Sequence, residues 1–362
     1  MKRAHPRGKW RAALSLLLMF AVHAWAQQVP ASTLFGSDQP LELTMSVDFE
    51  RLCRPSVDPE CGFMPTTLRV TDADGERRSI KVHIQRRDGW RALQTNCQVP
   101  TLFMRFAEAD VAGTPFEGQD TLALTSHCGK GHIPENVPSR RLPDDFESYV
   151  VNEYLGYRIL NLVTPYSLGA RLARMTYRHP VQPRRSFSHY AFFTEHVDDL
   201  ADRMEAQRVS PEELNPGSVD IMAANRIALF HFMIGNTDWS IERGENVFLL
   251  RRDDGQLVPI AYDLDMSGLV NPYYARPAQG APIRTVRQRH FMGYCMEPGE
   301  WEALYREFLD RREAISELLA SIPGLGRGDR RVTGVYLDSF YDLLDSREAT
   351  ARSVEASCRP RG

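Results

Sequence analysis

Apolar and polar residues alternate in short runs across the first part of the chain. Residues 41–47, 67–70, 80–85, 101–106 and 121–125 each carry the two-residue period and β-branched or aromatic content of half-buried strands. Turn chemistry separates them, as at Asp72-Ala73-Asp74-Gly75, and residues 129–142 have the Gly, Pro, Asn and Ser content of a loop. At 144–162 the period changes. Val150, Val151, Tyr154, Leu155, Ile159 and Leu162 then share one helical face until Pro165 stops the helix, with Glu153 close to that stripe. Residues 168–177 and 187–194 return to strands. Beyond Val197 the pattern predicts helices at 198–206, at 219–234 behind a Ser218 cap, at 300–319 and at about 332–356. Between the second and third of these lies a hairpin, strands 246–250 and 257–262 joined through Asp253-Asp254-Gly255.

The first 26 residues have a different character. Lys2, Arg3, Arg7, Lys9 and Arg11 precede an apolar run at 12–22, and Ala24-Trp25-Ala26 is a small-x-small cleavage site, so the segment is expected to be a secretory signal. Its apolar run is shorter than the ~20 residues that span a bilayer, and no later stretch is long enough, so no membrane span is expected after its removal. The remainder is expected to be exported, to the periplasm or the exterior. It would divide into a β-rich lobe at 27–196, with one helix at about 144–163, and a helical lobe at 197–362.

Composition sharpens this picture in two ways. Without the signal the chain has 39 basic against 47 acidic residues, which gives no overall attraction for nucleic acid or anionic lipid. The local basic runs, Arg86 to Arg91 and Arg184-Arg185, are expected to be solvated turns. Cys53, Cys61, Cys97, Cys128, Cys295 and Cys358 are even in number, as in disulfide-bonded exported chains. Sequence proximity favours 53–61, 97–128 and 295–358, and the spacings match no zinc motif.

The densest polar constellation is Gly235-Asn236-Thr237-Asp238-Trp239-Ser240, followed by Asn246 and then Tyr262-Asp263-Leu264-Asp265-Met266-Ser267-Gly268. Asn246 opens one strand of the hairpin and Asp263 closes the other, so Asn246, Asp263 and Asp265 should lie together, with Asp238 on the adjoining loop. Several oxygen ligands on one edge suit Mg²⁺ or Mn²⁺. Phosphoryl transfer needs such a set, a carboxylate to orient the hydroxyl and an amide and a carboxylate for the metal. Tyr273 and Tyr274 would line the mouth or cover the core, and Trp239 would pack under the loop. His127 and His132 are further candidate ligands or bases, and His189 and His196, seven apart on a strand, would point to opposite faces.

Residues 234–268, through Gly235-Asn236-Thr237-Asp238-Trp239 and Pro259-Ile260-Ala261-Tyr262-Asp263-Leu264-Asp265, resemble the atypical kinases of the CotH type and more distantly the HipA type. The resemblance implies an α+β, two-lobed, protein-kinase-like fold and an exported, metal-dependent phosphotransferase. It also implies Asp238 as base, Asn246 and Asp263 as metal ligands and Asp265 as an auxiliary ligand, with a nucleotide as donor and a protein or small molecule as acceptor. Glu153 would correspond to the helix glutamate that pairs with a phosphate-binding lysine.

The chain departs from that pattern in three places. Asp238 and Asn246 are eight apart, more than in the H-R-D-x-x-x-x-N loop, so Ser240 to Glu245 must loop out. No glycine-rich phosphate loop occurs, and Arg86-Arg87-Asp88-Gly89 is the basic turn nearest that role. After the signal only Lys81 and Lys130 are lysines, so one of them would have to bind the phosphate, and Lys81 alternates with Ile80, Val82 and Ile84, which turns it away from their side. An arginine such as Arg105 could substitute as a planar fork. The second hypothesis is therefore a non-catalytic binding or scaffolding protein that keeps the fold and the acidic pocket.

Overall fold

The computed structural model describes residues 34–361 apart from 56–57, 59, 72–74, 94 and 130–145. The signal segment at 1–26, Lys130, His132 and most of the 129–142 loop fall outside the described residues.

Seven strands follow the alternation. They are β1 (Leu41–Ser46), β2 (Met64–Thr71), β3 (Arg77–Arg86), β4 (Leu102–Phe106), β5 (Thr121–Thr125), β6 (Ala170–Arg178) and β7 (Phe187–Thr194). They form a closed barrel in the order β1-β2-β3-β4-β5-β7-β6. Each neighbouring pair is antiparallel except the closing one, where β1 runs parallel to β6 from Leu41↔Ala173 to Ser46↔Arg178. Inward positions such as Met45, Leu68, Val82, Met104, Leu122 and Phe193 fill the interior and are essentially fully buried. Burying each such side chain contributes about 1.5–3 kcal/mol.

Helices follow where the period lengthens: α1 (Glu108–Val111), α2 (Glu147–Val163), α3 (Val197–Arg203), α4 (Ile221–Ile234), α5 (Pro298–Leu309), α6 (Arg312–Ser321), α7 (Arg327–Leu344) and α8 (Arg347–Ser353). A second sheet has the order β10-β9-β8, with β8 (Gln207–Val209), β9 (Val247–Arg251) and β10 (Leu257–Ala261). This sheet shares one core with α2, α4, α5, α6 and α7, and Leu172 of β6 and Phe192 of β7 belong to that core too.

The expected two-lobed, kinase-like arrangement is overturned. The first strands are a closed mixed barrel, and α2, β6 and β7 tie that barrel into the core of the helical half. Alternation along single strands is the same in an open and a closed sheet, so the closing β1–β6 pair left no local mark. Smaller corrections follow from hydrogen bonding. Asp220, not Ser218, caps α4, accepting from the Ala223 N–H at 2.9 Å. The helix expected at 300–319 breaks at Asp310-Arg311 into α5 and α6, and the last one begins earlier and divides into α7 and α8. The three cysteine pairs are 53–61, 97–128 and 295–358, as proximity favoured, and they fit an oxidising compartment. Among the described residues no helix is long and apolar enough to cross a membrane.

Candidate functional site

Helix α4 ends where Gly235 turns left-handed (φ +69°) and its N–H caps the last carbonyls. The Asn236 side-chain oxygen then accepts from the Asp238 N–H at 2.8 Å, which fixes the turn. Beneath it Trp239 is buried and stacks on His231, ring centroids 4.6 Å apart, as the packing role expected of Trp239 requires. The extra residues between Asp238 and Asn246 are pinched off. Ser240 and Glu245 exchange backbone hydrogen bonds of 2.9 and 3.0 Å, so the insertion loops out and its two ends meet. Asn246 consequently donates its amide hydrogens to the Asp238 carbonyl (2.6 Å) and to Asp238 Oδ2 (3.1 Å).

The β9–β10 ladder ends at Val247↔Ala261, and the Tyr262 N–H reaches Asn246 O at 3.1 Å, so Asn246 and Asp263 flank the same end of the hairpin. Both have left-handed backbones, φ +53° and +54°. Non-glycine residues held this way cost on the order of 1 kcal/mol or more each, and such positions cluster at functional sites. The Asp263 N–H donates to the Tyr157 hydroxyl of α2 at 2.9 Å, which ties the loop to the helix.

Facing these residues is the cluster around Arg91. A short turn of 3₁₀ helix, Trp90–Ala92, brings Arg91 inward, where its guanidinium lies 2.7 Å from Glu153 Oε2 and 2.8 Å from Asp265 Oδ2. Tyr274 donates its hydroxyl to the same Asp265 oxygen at 2.9 Å and stacks on Trp90, centroids 4.2 Å apart. Burial works against the Arg91 charge, but Asp265 and Glu153 outweigh it and hold the guanidinium charged. Glu153 and Asp265 pair with this cation, and Asp263 feels its charge together with that of Arg87. Burial pushes Glu153 up to about 7, with repulsion from Asp265 and Asp263 adding to it and Arg91 opposing. Asp263 rises to about 6, from burial and the nearby Asp265. Asp238 is also raised, by burial and then by Glu245.

All these side chains line one cleft of about 640 Å³ between the barrel wall and the second sheet. Asp238, Asn246, Asp263, Asp265 and Glu153 thus come together in one place. The basic turn contributes Arg87, Asp88 and Gly89, and Phe248 stacks on Tyr262 (4.1 Å) under the far end, with Arg208 over Phe248. Tyr274 lines the mouth, and Tyr273 is buried.

The lysine expectation fails for Lys81, which is exposed on the outer face of β3 opposite Thr67. Arg105 is also outward, its guanidinium over the Phe63 ring. The cation beside Glu153 is Arg91. The expectation of a solvated turn is corrected for Arg91, whose one usable signal in the sequence is its nearness to Arg86-Arg87-Asp88-Gly89. Tyr157 and Tyr274 were missed as partners of Asp263 and Asp265. His189 and His196 do not share a strand as expected: β7 ends at Thr194 and His196 caps α3, whereas His189 stacks on His127 at 3.9 Å.

Among the described residues no three His, Cys, Asp or Glu side chains are grouped as a ready-made metal site. The donor set that a hard cation could use is the Asn246 amide oxygen and the Asp263 carboxylate, with Asp265 shared with Arg91. Mg²⁺ and Mn²⁺ bind through one or two carboxylates and complete their shells with water and phosphate. No protein-family model matches the chain, and no curated protein does.

Proposed function

We propose that the cleft carries out divalent-cation-dependent phosphoryl transfer from a nucleotide donor in an oxidising, exported compartment. The observation that supports it most is the Asp238–Asn246 pair, 3.1 Å apart, at the same hairpin end as Asp263. Asp238 takes the proton from an acceptor hydroxyl as its oxygen attacks phosphorus, and the leaving group departs with the electrons of the broken P–O bond. A carboxyl raised by burial suits that proton transfer. Asn246 and Asp263 would hold Mg²⁺ or Mn²⁺, with Asp265 as auxiliary, and the cation would neutralise phosphate charge. Arg91 supplies the fixed positive charge that a phosphate-binding lysine gives elsewhere, as a fork suited to phosphate oxygens. The motif-level resemblance of residues 234–268 to CotH-type enzymes supports the chemistry through those residues alone, since the kinase-like fold that it also implies is overturned by the barrel.

A second reading, a non-catalytic binding protein, is favoured by one contact. Arg91 already neutralises Asp265 at 2.8 Å, as an internal cation would in a site that no longer turns over. Thermal unfolding of the disulfide-intact protein with Mn²⁺ or Mg²⁺, with and without nucleotides, separates the two. A ligand at a hundredfold its Kd adds about 2.7 kcal/mol. Asp263→Ala should abolish the metal shift, and Asp238→Ala should keep it without turnover. The absence of any shift removes the first reading, a shift without turnover in the unaltered protein favours the second, and turnover by Asp238→Ala removes its assignment as base.

A further inference from the structure

Helix α7 touches α2 and the junction of the two loops that carry Asp238, Asp263 and Asp265. Thr333 donates its hydroxyl to Asn152 Oδ1 at 3.2 Å, beside Glu153 on α2. One turn on, Tyr336 is 5% exposed, with the guanidiniums of Arg287 and Arg289 at 3.8 and 4.2 Å from its ring centroid. Those arginines hold the end of α4 and the loop after β10 through the backbone. Arg287 donates to Gly268 O at 2.8 Å and Arg289 to Met233 O at 3.1 Å. The loops are joined to each other by Gly268 N–H to Gly235 O (3.0 Å) and Leu269 N–H to Ile234 O (2.9 Å). The tip of Tyr336 meets that junction. A β-carbon on Gly235 would lie 2.1 Å from the tyrosine oxygen, and one on Gly268 2.5 Å from it and 2.2 Å from Val286 O. Only glycine lets both backbones approach this closely.

The Tyr336 hydroxyl is buried with no hydrogen-bond partner among the described residues. Such an oxygen is a cost that packing alone does not require, since phenylalanine would fill nearly the same space. What the oxygen does provide is length, enough to reach the point where the two loops cross.

We propose that Tyr336 is a positioning residue, a wedge from α7 that sets the spacing between the loop carrying Asp238 and the loop carrying Asp263 and Asp265. The proposal rests on the phosphotransfer reading only for the identity of the site it serves.

Backbone hydrogen exchange on the intact, oxidised protein tests it, alongside Mn²⁺ titration. In Tyr336→Leu and Arg287→Met the Gly268 and Leu269 amides should exchange about tenfold faster or more, a local opening easier by about 1.4 kcal/mol. The β9–β10 ladder amides should keep their rates, and apparent Mn²⁺ affinity should fall with the loop protection. Unchanged exchange at Gly268 and Leu269 overturns the proposal. So does equal quickening across both loops and the ladder, which would make Tyr336 ordinary core. If Tyr336→Leu does not fold, Arg287→Met decides by the same criterion. A protein indifferent to Mn²⁺ and nucleotides removes the phosphotransfer reading but leaves the exchange comparison to decide the wedge.

Discussion

The guanidinium of Arg91 lies 2.7 Å from the carboxylate of Glu153, a residue 62 positions away, and so joins a surface turn after β3 to the buried face of α2. Glu153 is only 3% exposed, so the pair is an interior one.

Arg91→Met should destabilise the protein by on the order of 3–5 kcal/mol near pH 8, because it leaves Glu153 buried without its cation. The double variant Arg91→Met/Glu153→Gln should recover part of that loss, the remainder staying with Asp265, which also loses its cation. Denaturant unfolding of the two variants measures it, and equal stabilities would show that the pair is not the source of the cost.

The pH dependence follows from the same carboxyl. Glu153 titrates near 4.5 when unfolded and at about 7 when folded, so between these values the native state holds a proton that the unfolded chain has released. Its contribution to stability therefore falls as pH rises from about 4.5 to about 7 and is level above. Asp263 acts in the same direction between 3.8 and about 6. Thermal melts across this interval should show a steeper decline for the unaltered protein than for Glu153→Gln, and parallel profiles would remove Glu153 as the titrating group.

Asp263→Asn should raise the melting temperature while abolishing any Mn²⁺ shift. The amide keeps a side chain that tolerates the left-handed backbone and removes repulsion with Asp265. A melting temperature that falls by several degrees would mean that the carboxylate is structural.

Loss of the Cys97–Cys128 bond, by serine at both positions, should cost about 4 kcal/mol from its 31-residue separation on the chain-entropy account. The bond also fixes the far end of the Trp90–Ala92 turn, so the Trp90–Tyr274 stack should loosen with it. Tryptophan fluorescence of the double variant reports this, and an unchanged spectrum would show that the turn holds without its tether.

The half of the cleft built on one hairpin was legible in the sequence. Asp253-Asp254-Gly255 between two apolar runs put Asn246 and Asp263 at one end, and the eight-residue spacing required the loop-out that Ser240 and Glu245 close. The opposite wall was not legible. Hydropathy assigns Arg86 and Arg91 to solvent, yet Arg86 is 3% exposed and donates to the Ala92 and Phe49 carbonyls. Their burial depends on partners distant in sequence, and Asp265 is 174 residues from Arg91. Barrel closure is hidden for the same reason, because the β1–β6 register joins segments that no short window contains.

A sheet that closes on itself offers no rim of unpaired main-chain groups. Among the described residues the barrel therefore leaves no full-length edge strand for an extended peptide to join. In the smaller sheet the outer side of β10 is partly taken, since Leu257 O accepts from Asp220 N–H, and β8 is three residues long. Among the described residues, molecules that meet these sheets must be recognised chiefly by side chains, which makes their specificity editable one residue at a time.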